Sequence, residues 1–534
     1  MGNPIRGMQP LTSFNSIATA IALGVVATSA LADDTFTYDG YLRQEMSWNM
    51  KNWEDTPGYN DRGKLSMMRS TARLNLQWKP GDDVSFVAKL RGVREVETDF
   101  LRHLEKMGAN NYHEADGTGD ITDLYDKTDI RELYVDLPLG ERTRLRFGKQ
   151  QIAWGETDFF AANDLVHGFD DTWRSFLEPA NEELRKTNIM AKFNIDVPEY
   201  NGGIELFVRP GWDRKNDIGT EIDIYGGRWS SQPYAGVDFR NIDPYNYKSD
   251  EGSVNDVTGG IRWSGLYGDT NYSLSYLKTY YNAPILNPSS NLALFGMPDV
   301  SSGATSKGTD QTRGLAGEII YPLVDIFGFT ASRYSDLADA VFSTEVAYIK
   351  DAPYQFQAKT PTMLSQYIAP GFDGYTKKDV VAMMLRMDKN IAATQTWLGT
   401  EKPMFFSVQL FDKWVQNFDK NDQLLYSVGW GGKVKEHSAM GTTIFDLSYA
   451  NGRVRPQLVL GADLSNGGGF AVPSVTFELS SKVRWKVEYD AFWDSGSHDS
   501  KNCQPGNLAT CDTTTLFGYF HNRDQLYTSL TYLF

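Results

Sequence analysis

Apolar and polar residues alternate with period two along most of this chain. Val483, Trp485, Val487, Tyr489 and Ala491 fall on one face, and Arg484, Lys486, Glu488 and Asp490 on the other. A helix would spread those charges around its surface, whereas an extended strand separates them. Ala72, Leu74, Leu76 and Trp78 alternate likewise with Thr71, Arg73, Asn75 and Gln77. After the turn Lys79-Pro80-Gly81-Asp82-Asp83, Phe86, Ala88 and Leu90 alternate with Ser85, Lys89 and Arg91. Further segments of this kind start near Phe36, Ile130, Arg142, Asn188, Gly203, Val257, Thr270, Thr312, Ala340, Lys378, Met404, Gly441, Arg455, Phe470 and Asp524. Together they predict about 18 strands, an even number as single-chain bacterial barrels have. Sixteen stays open, because residues 326–339 read ambiguously.

The connections alternate in length. Short turns stand at Pro80-Gly81, Leu139-Gly140-Glu141, Glu199-Tyr200-Asn201, Tyr267-Gly268-Asp269, Asn451-Gly452 and Ser480-Ser481. Between them run the long segments 97–128, 154–186, 210–254, 282–309, 351–376, 415–438 and 495–522. That rhythm predicts an all-β, transmembrane antiparallel barrel with short periplasmic turns and long extracellular loops. Leu526, Leu530, Tyr532 and Phe534 share one face of the last strand. That strand is expected to close on the first, because an unpaired edge in hydrocarbon leaves polar groups unsatisfied. A terminal Phe with an aromatic two residues before it also resembles the signal read by the bacterial barrel-assembly machinery, an expected partner alongside outer-membrane lipids.

Residues 1–32 read as a cleaved signal peptide, leaving 33–534 as the barrel with its loop insertions. Arg6 is the leader's only charge, residues 17–32 are apolar or small, and Ala30-Leu31-Ala32 has the A-x-A cleavage pattern. Losing Arg6 moves the net charge from −16 to −17, which speaks against nucleic acid as a partner. Mean hydropathy is −0.42, a value a membrane barrel tolerates because only alternate strand residues face lipid. The expected location is the outer membrane of a Gram-negative cell. Cys503 and Cys511 flank a Pro-Gly turn in an exported chain and predict a disulfide clipping one loop.

Residues 145–158, Leu-Arg-Phe-Gly-Lys-Gln-Gln-Ile-Ala-Trp-Gly-Glu-Thr-Asp, resemble the signature of a bacterial outer-membrane family catalogued as domain of unknown function 1302. Arg131-Glu132-Leu133-Tyr134-Val135-Asp136-Leu137 and the strand ending at Phe492-Trp493 fit as well. The chain departs from the family's usual Asn-Pro-x-Asp element, reading Val166-His167-Gly168-Phe169-Asp170 there. The resemblance implies a barrel often encoded beside a periplasmic or lipoprotein partner and an inner-membrane exporter of the resistance-nodulation-division type. It also implies handling of lipid-like or hydrophobic compounds.

Three features are candidates for function. Arg69, Arg73, Lys89, Arg91, Arg144 and Arg146, with Glu132 and Asp136 between them, fall on the inferred inward face. They read either as a polarised pore wall or as a salt-bridge lattice bracing the lumen. Two long loops are unusually apolar. One carries Ile285, Leu286, Leu292, Leu294, Phe295 and Met297; the other carries Tyr354, Phe356, Tyr367 and Phe372. Such area is either a cap that captures a hydrophobic ligand or a constriction packed on itself. Segment 154–186 holds Trp173, Phe176, Leu177, Glu182, Glu183, Arg185 and Lys186, and reads as a short amphipathic helix or a folded plug.

Catalytic signals are poor. The histidines fall in loops or at strand margins, and neither a G-x-S-x-G elbow nor an H-E-x-x-H motif occurs. The acidic stretch 116–123 lacks the Gly and Glu of a calcium loop. No enzyme activity, cofactor or metal is expected. The leading expectation is a channel or transporter for hydrophobic or amphiphilic small molecules. A porin for hydrophilic solutes and an adhesive surface barrel are the alternatives.

Overall fold

The computed structural model describes residues 35–52, 60–107, 121–155, 157, 160–170, 174, 177, 181–211, 257–283, 285–286, 319–360, 374–425, 432–495 and 515–534. The strands that alternation calls for are β1 (Phe36–Asn49), β2 (Leu65–Trp78), β3 (Ser85–Glu95), β4 (Lys127–Pro138), β5 (Thr143–Gln150) and β6 (Asn188–Val197). There follow β7 (Gly202–Arg209), β8 (Thr258–Tyr267), β9 (Thr270–Tyr280), β10 (Leu323–Ser335), β11 (Ala340–Phe356) and β12 (Tyr375–Ile391). The last are β13 (Met404–Val415), β14 (His437–Asp446), β15 (Val454–Asp463), β16 (Gly469–Glu478), β17 (Val483–Trp493) and β18 (Gln525–Leu533). Each pairs antiparallel with its neighbours in sequence, giving a closed barrel of 18 strands. The two-residue strand Leu424–Leu425 is a spur on the end of β11 rather than part of the wall.

β18 closes on β1 from Tyr41↔Leu533 to Asn49↔Gln525. The Gly40 and Phe534 amides exchange backbone hydrogen bonds at 3.2 and 3.1 Å. A Cβ on Gly40 would stand 2.7 Å from the Phe534 ring, so glycine makes room for the terminal aromatic at the seam.

The short turns all lie at one end, where β1 begins and β18 ends. The tightest, Gly268-Asp269, is entered by Gly268 at φ +58, the left-handed geometry that two-residue hairpins require. Long connections occupy the other end, with one exception: residues 464–468 join β15 to β16 directly. The barrel's outer surface carries exposed Leu42, Leu133, Phe147, Ile261, Leu274, Phe327, Leu385 and Leu410, which is what a lipid-facing wall presents. Aromatic pairs Trp78–Phe86, Phe406–Phe445 and Phe477–Trp485, with centroids 5.2 to 5.3 Å apart, ring it at the short-turn end. Tyr276, Phe327 and Tyr348 ring it toward the other. The tyrosine hydroxyls there donate to Asp325 at 2.6 Å and Asp379 at 2.5 Å. These girdles mark two membrane interfaces.

Three expectations need correction. The strand before Ala340 is β10, in the ambiguous stretch; Thr312 lies outside the described residues. β10 hides its alternation because both faces are apolar: Val324 and Ile326 point inward and are buried, while Phe327 and Phe329 face outward and are exposed. Second, Tyr354 and Phe356 are strand residues, since β11 runs on to Phe356. Third, among the described residues of 154–186 only Asn181–Leu184 is α-helical, with Leu177 in a 3-10 turn. Residues 1–32, Cys503, Cys511, Trp173, Phe176, Leu292, Leu294, Phe295, Met297, Tyr367 and Phe372 lie outside the described residues.

Candidate functional site

The inward face of β2 to β5 is a lattice of ion pairs. Arg69 bonds Glu95 at 2.9 Å, Lys89 bonds Glu132 at 2.9 Å, and Arg91 bonds Asp129 at 3.1 Å. Arg144 and Arg146 share Asp136, each at 2.9 Å. Arg73 pairs with Glu183. Every charged residue that the sequence placed on this face thus has an opposite charge beside it. A bulge helps: Lys89 pairs with Glu132 but Leu90 with Ile130. One extra residue on β4 therefore sends both Arg131 and Glu132 inward, and both are buried. Exposure is graded along the barrel. The Arg69 and Arg91 side chains are 2% and 1% exposed, whereas Arg144 and Arg146, toward the short turns, are 46% and 29% exposed.

What covers the upper part of the lattice is the connection 151–187, which turns back into the lumen. Glu183 anchors it to the charged wall. Tyr41 Oη donates to its Oε1 at 3.0 Å, Arg73 pairs with it, and Arg91 lies at 3.6 Å. Burial alone would raise the Glu183 carboxyl; Arg73 and Arg91 overcome that and hold it below its ordinary range. Further round, Lys127 pairs with Asp170. Arg174 reaches across to Glu488 at 2.6 Å and Asp490 at 3.2 Å on β17, with its guanidinium 3.8 Å from the Tyr527 ring centre. Arg185 pairs with Asp164 inside the connection itself.

The opposite wall receives the same segment with apolar contacts. Ile152, Trp154 and Val166 form one buried cluster with Met190, Phe207, Leu277, Val324, Ile326, Ala347 and Ala382. Trp154 lies edge-on to Phe207 at 5.4 Å, and a Cβ on Gly260 would come within 2.6 Å of its ring. Asn163 nests on Gly328, where a Cβ would stand 2.2 Å from its Oδ1. Phe160 meets Phe411 edge-on at 5.6 Å. A second inward cluster joins Leu177 to Val459, Phe470, Val472, Phe492, Phe517 and Phe520, with half-buried Met440 and Ile444 packed on it.

Of the apolar loop residues, Ile285 is buried and its two-residue strand with Leu286 pairs with Ile319–Ile320. Tyr354 and Phe356 are partly buried against the larger lumenal cluster. The residues that sequence reasoning passed over are the inward small ones, Gly260, Gly328, Ala347 and Ala382. Their signal was a break in side-chain size on the inward face of the strand. Among the described residues no group of His, Cys, Asp and Glu could hold a metal.

Fold and lumen together define a closed transmembrane β-barrel of 18 strands with a folded plug in its bore. Residues 17–534 match the family described as protein of unknown function, DUF1302, and the chain belongs to that family. No curated protein matches it. Among solved structures it is similar to OccAB1 of Acinetobacter baumannii at 9% identity, covering 93% of this chain and 96% of that one, with a TM-score of 0.46. OpdK of Pseudomonas aeruginosa with vanillate is similar at 7% identity over 94% and 99% of the chains, TM-score 0.44. OmpF of Salmonella typhi in complex with daunomycin is similar at 8% identity over 93% and 97%, TM-score 0.38.

Proposed function

We propose that this chain is an outer-membrane channel for small hydrophobic or amphiphilic molecules. In this reading residues 1–32 direct its export, and its last strand is read by the barrel-assembly machinery. The observation that carries the reading is the lining of the bore. A water-filled pore has a polar interior, yet two apolar clusters face this lumen from β6 to β17, and Met440 and Ile444 remain half-buried on it. The plug narrows the bore on that lining, so a permeant touches apolar wall for part of its path. Passage is down a gradient.

A purified sample in liposomes tests this. We expect a hydrophobic fluorophore such as N-phenylnaphthylamine to bind and be displaced by other hydrophobic compounds, with slow swelling in sugars. Rapid swelling without dye binding supports the second reading, a hydrophilic porin. The exposed Arg144 and Arg146 toward the short-turn end favour that alternative. Family membership further suggests a periplasmic or lipoprotein partner and an inner-membrane exporter. Co-purification from membranes tests that association.

A further inference from the structure

The cations on the inward faces of the strands are almost all committed, to acids or to other acceptors. Two carry no bond to any acceptor among the described residues: Arg262 on β8 and Lys413 on β13. Lys413 shares the inward face with buried Gln409, Phe411 and Val415, while Leu410 and Trp414 face outward. It is nevertheless solvent-exposed. Its sequence neighbour Asp412 is bonded to His437 at 2.7 Å. Arg262 has its Nε buried and unpartnered. The acid opposite it, Glu205, already accepts from Trp154 Nε1 and from Lys192 at 3.0 Å. Arg262 also lines a cavity of about 360 Å³ with Ser264, Asn271, Ser273, Thr330 and Ser332.

The two residues belong to one cross-strand row. Arg262 pairs with Ser275, Ser275 with Gly328, Gly328 with Ala347, Ala347 with Ala382, and Ala382 with Lys413. Everything between the two cations is small. Five strand spacings put them about 24 Å apart along the wall. Because strands tilt, such a row climbs the barrel, with Lys413 within two residues of the long-loop end of β13. The rim nearest Lys413's side of the lumen is also low, since β15 and β16 are joined by residues 464–468 alone.

We propose that the permeant carries an anionic group, as a carboxylate-bearing amphiphile does, and that Lys413 and Arg262 select it. This rests on the channel reading above. Lys413 takes the anionic group at the outer mouth. The apolar body follows the trough of small residues, from which Asn163 and the plug residues clustered with Ala347 and Ala382 must lift. Arg262 and the hydroxyls around its cavity receive the anionic group below. The saturated arginines of β2 to β5 take no part in selection.

Planar-bilayer recordings on the purified full chain test this. Under a tenfold KCl gradient the native protein should show an anion-side reversal potential. Octanoate should block the current, and octylammonium, with the same tail and opposite head, should not. Lys413→Glu with Arg262→Glu should move the reversal potential to the cation side and weaken octanoate block at least tenfold. Lys413→Gln and Arg262→Gln, which disturb folding least, should each give part of the shift. Normal conductance with unchanged selectivity in the double variant overturns the proposal and leaves the channel reading standing. Equal block by octylammonium does the same. Absence of any conductance in the native protein overturns both.

Discussion

Strands β2 and β3 hold the plug through charge: Arg73 and Arg91 converge on Glu183, each arginine also lying within a larger set of opposite charges. Strands β6 to β12 hold the same segment largely through shape, with Trp154 against Gly260 and Phe207 and Asn163 over Gly328, beside hydrogen bonds to Glu205, Arg209 and Glu345. A buried ion pair is costly to break from one side, because the remaining charge stays desolvated. An apolar contact loses only its own area and leaves a void. The two walls therefore differ in what they can release. The charged wall is a fixed anchor, and the apolar wall is the side from which a segment can move.

The largest expected effect is on the anchor. Glu183→Ala leaves Arg73 and Arg91 facing each other without their shared acid, and should lower unfolding stability in detergent by about 3–5 kcal/mol. A midpoint unchanged from the native protein would break the distinction between the walls. Trp154→Ala should cost about 3 kcal/mol and raise bilayer conductance, since the lost ring opens space beside Phe207. Gly328→Leu drives a side chain into the place of the Asn163 amide. It should cost about 1–3 kcal/mol and increase open-channel noise in single-channel records.

A smaller, pH-dependent effect should come from His167. Its Nε2 accepts from the Ile152 amide at 2.9 Å and its Nδ1 donates to Asn188 at 2.9 Å, an arrangement only the neutral ring can make. Burial, with Arg209 and Arg185 nearby, holds its pKa well below the ordinary 6.5. The unfolded chain thus binds a proton below about pH 6.5 that the folded one refuses. Stability is full above that pH and falls as pH drops from 7 to 5. His167→Gln should flatten that slope in pH-dependent thermal melts. Arg144→Gln should change stability least, by about 0–1 kcal/mol, because its pair with Asp136 is water-accessible. A loss as large as that of Glu183→Ala would erase the gradient along the lattice.

The barrel was legible in the sequence because alternation is local. Each residue of β17 reports its face through its immediate neighbours, as Trp485 against Lys486 does, and the eight charges on β2 to β5 could be assigned inward without knowing what lay opposite. Where a wall is apolar on both faces, as at Val324 to Phe329, that report fails, and residues 326–339 read ambiguously. The pairing of Arg73 with Glu183 was illegible for another reason. The two lie 110 residues apart, and nothing in local spacing says that a long connection turns inward.

The sequence by itself determined the class of fold, a strand number of 16 to 18, the inward or outward sense of most side chains and the seam at Phe534. These follow from period two, turn chemistry and the need to satisfy every backbone group in lipid. Only the tertiary structure decided that the connection 151–187 fills the bore, that the basic cluster is spent on ion pairs, and that Arg262 and Lys413 end one row of small residues. Those facts depend on which distant strands become neighbours when the sheet closes, and closure relates residues through register around the barrel rather than through order along the chain.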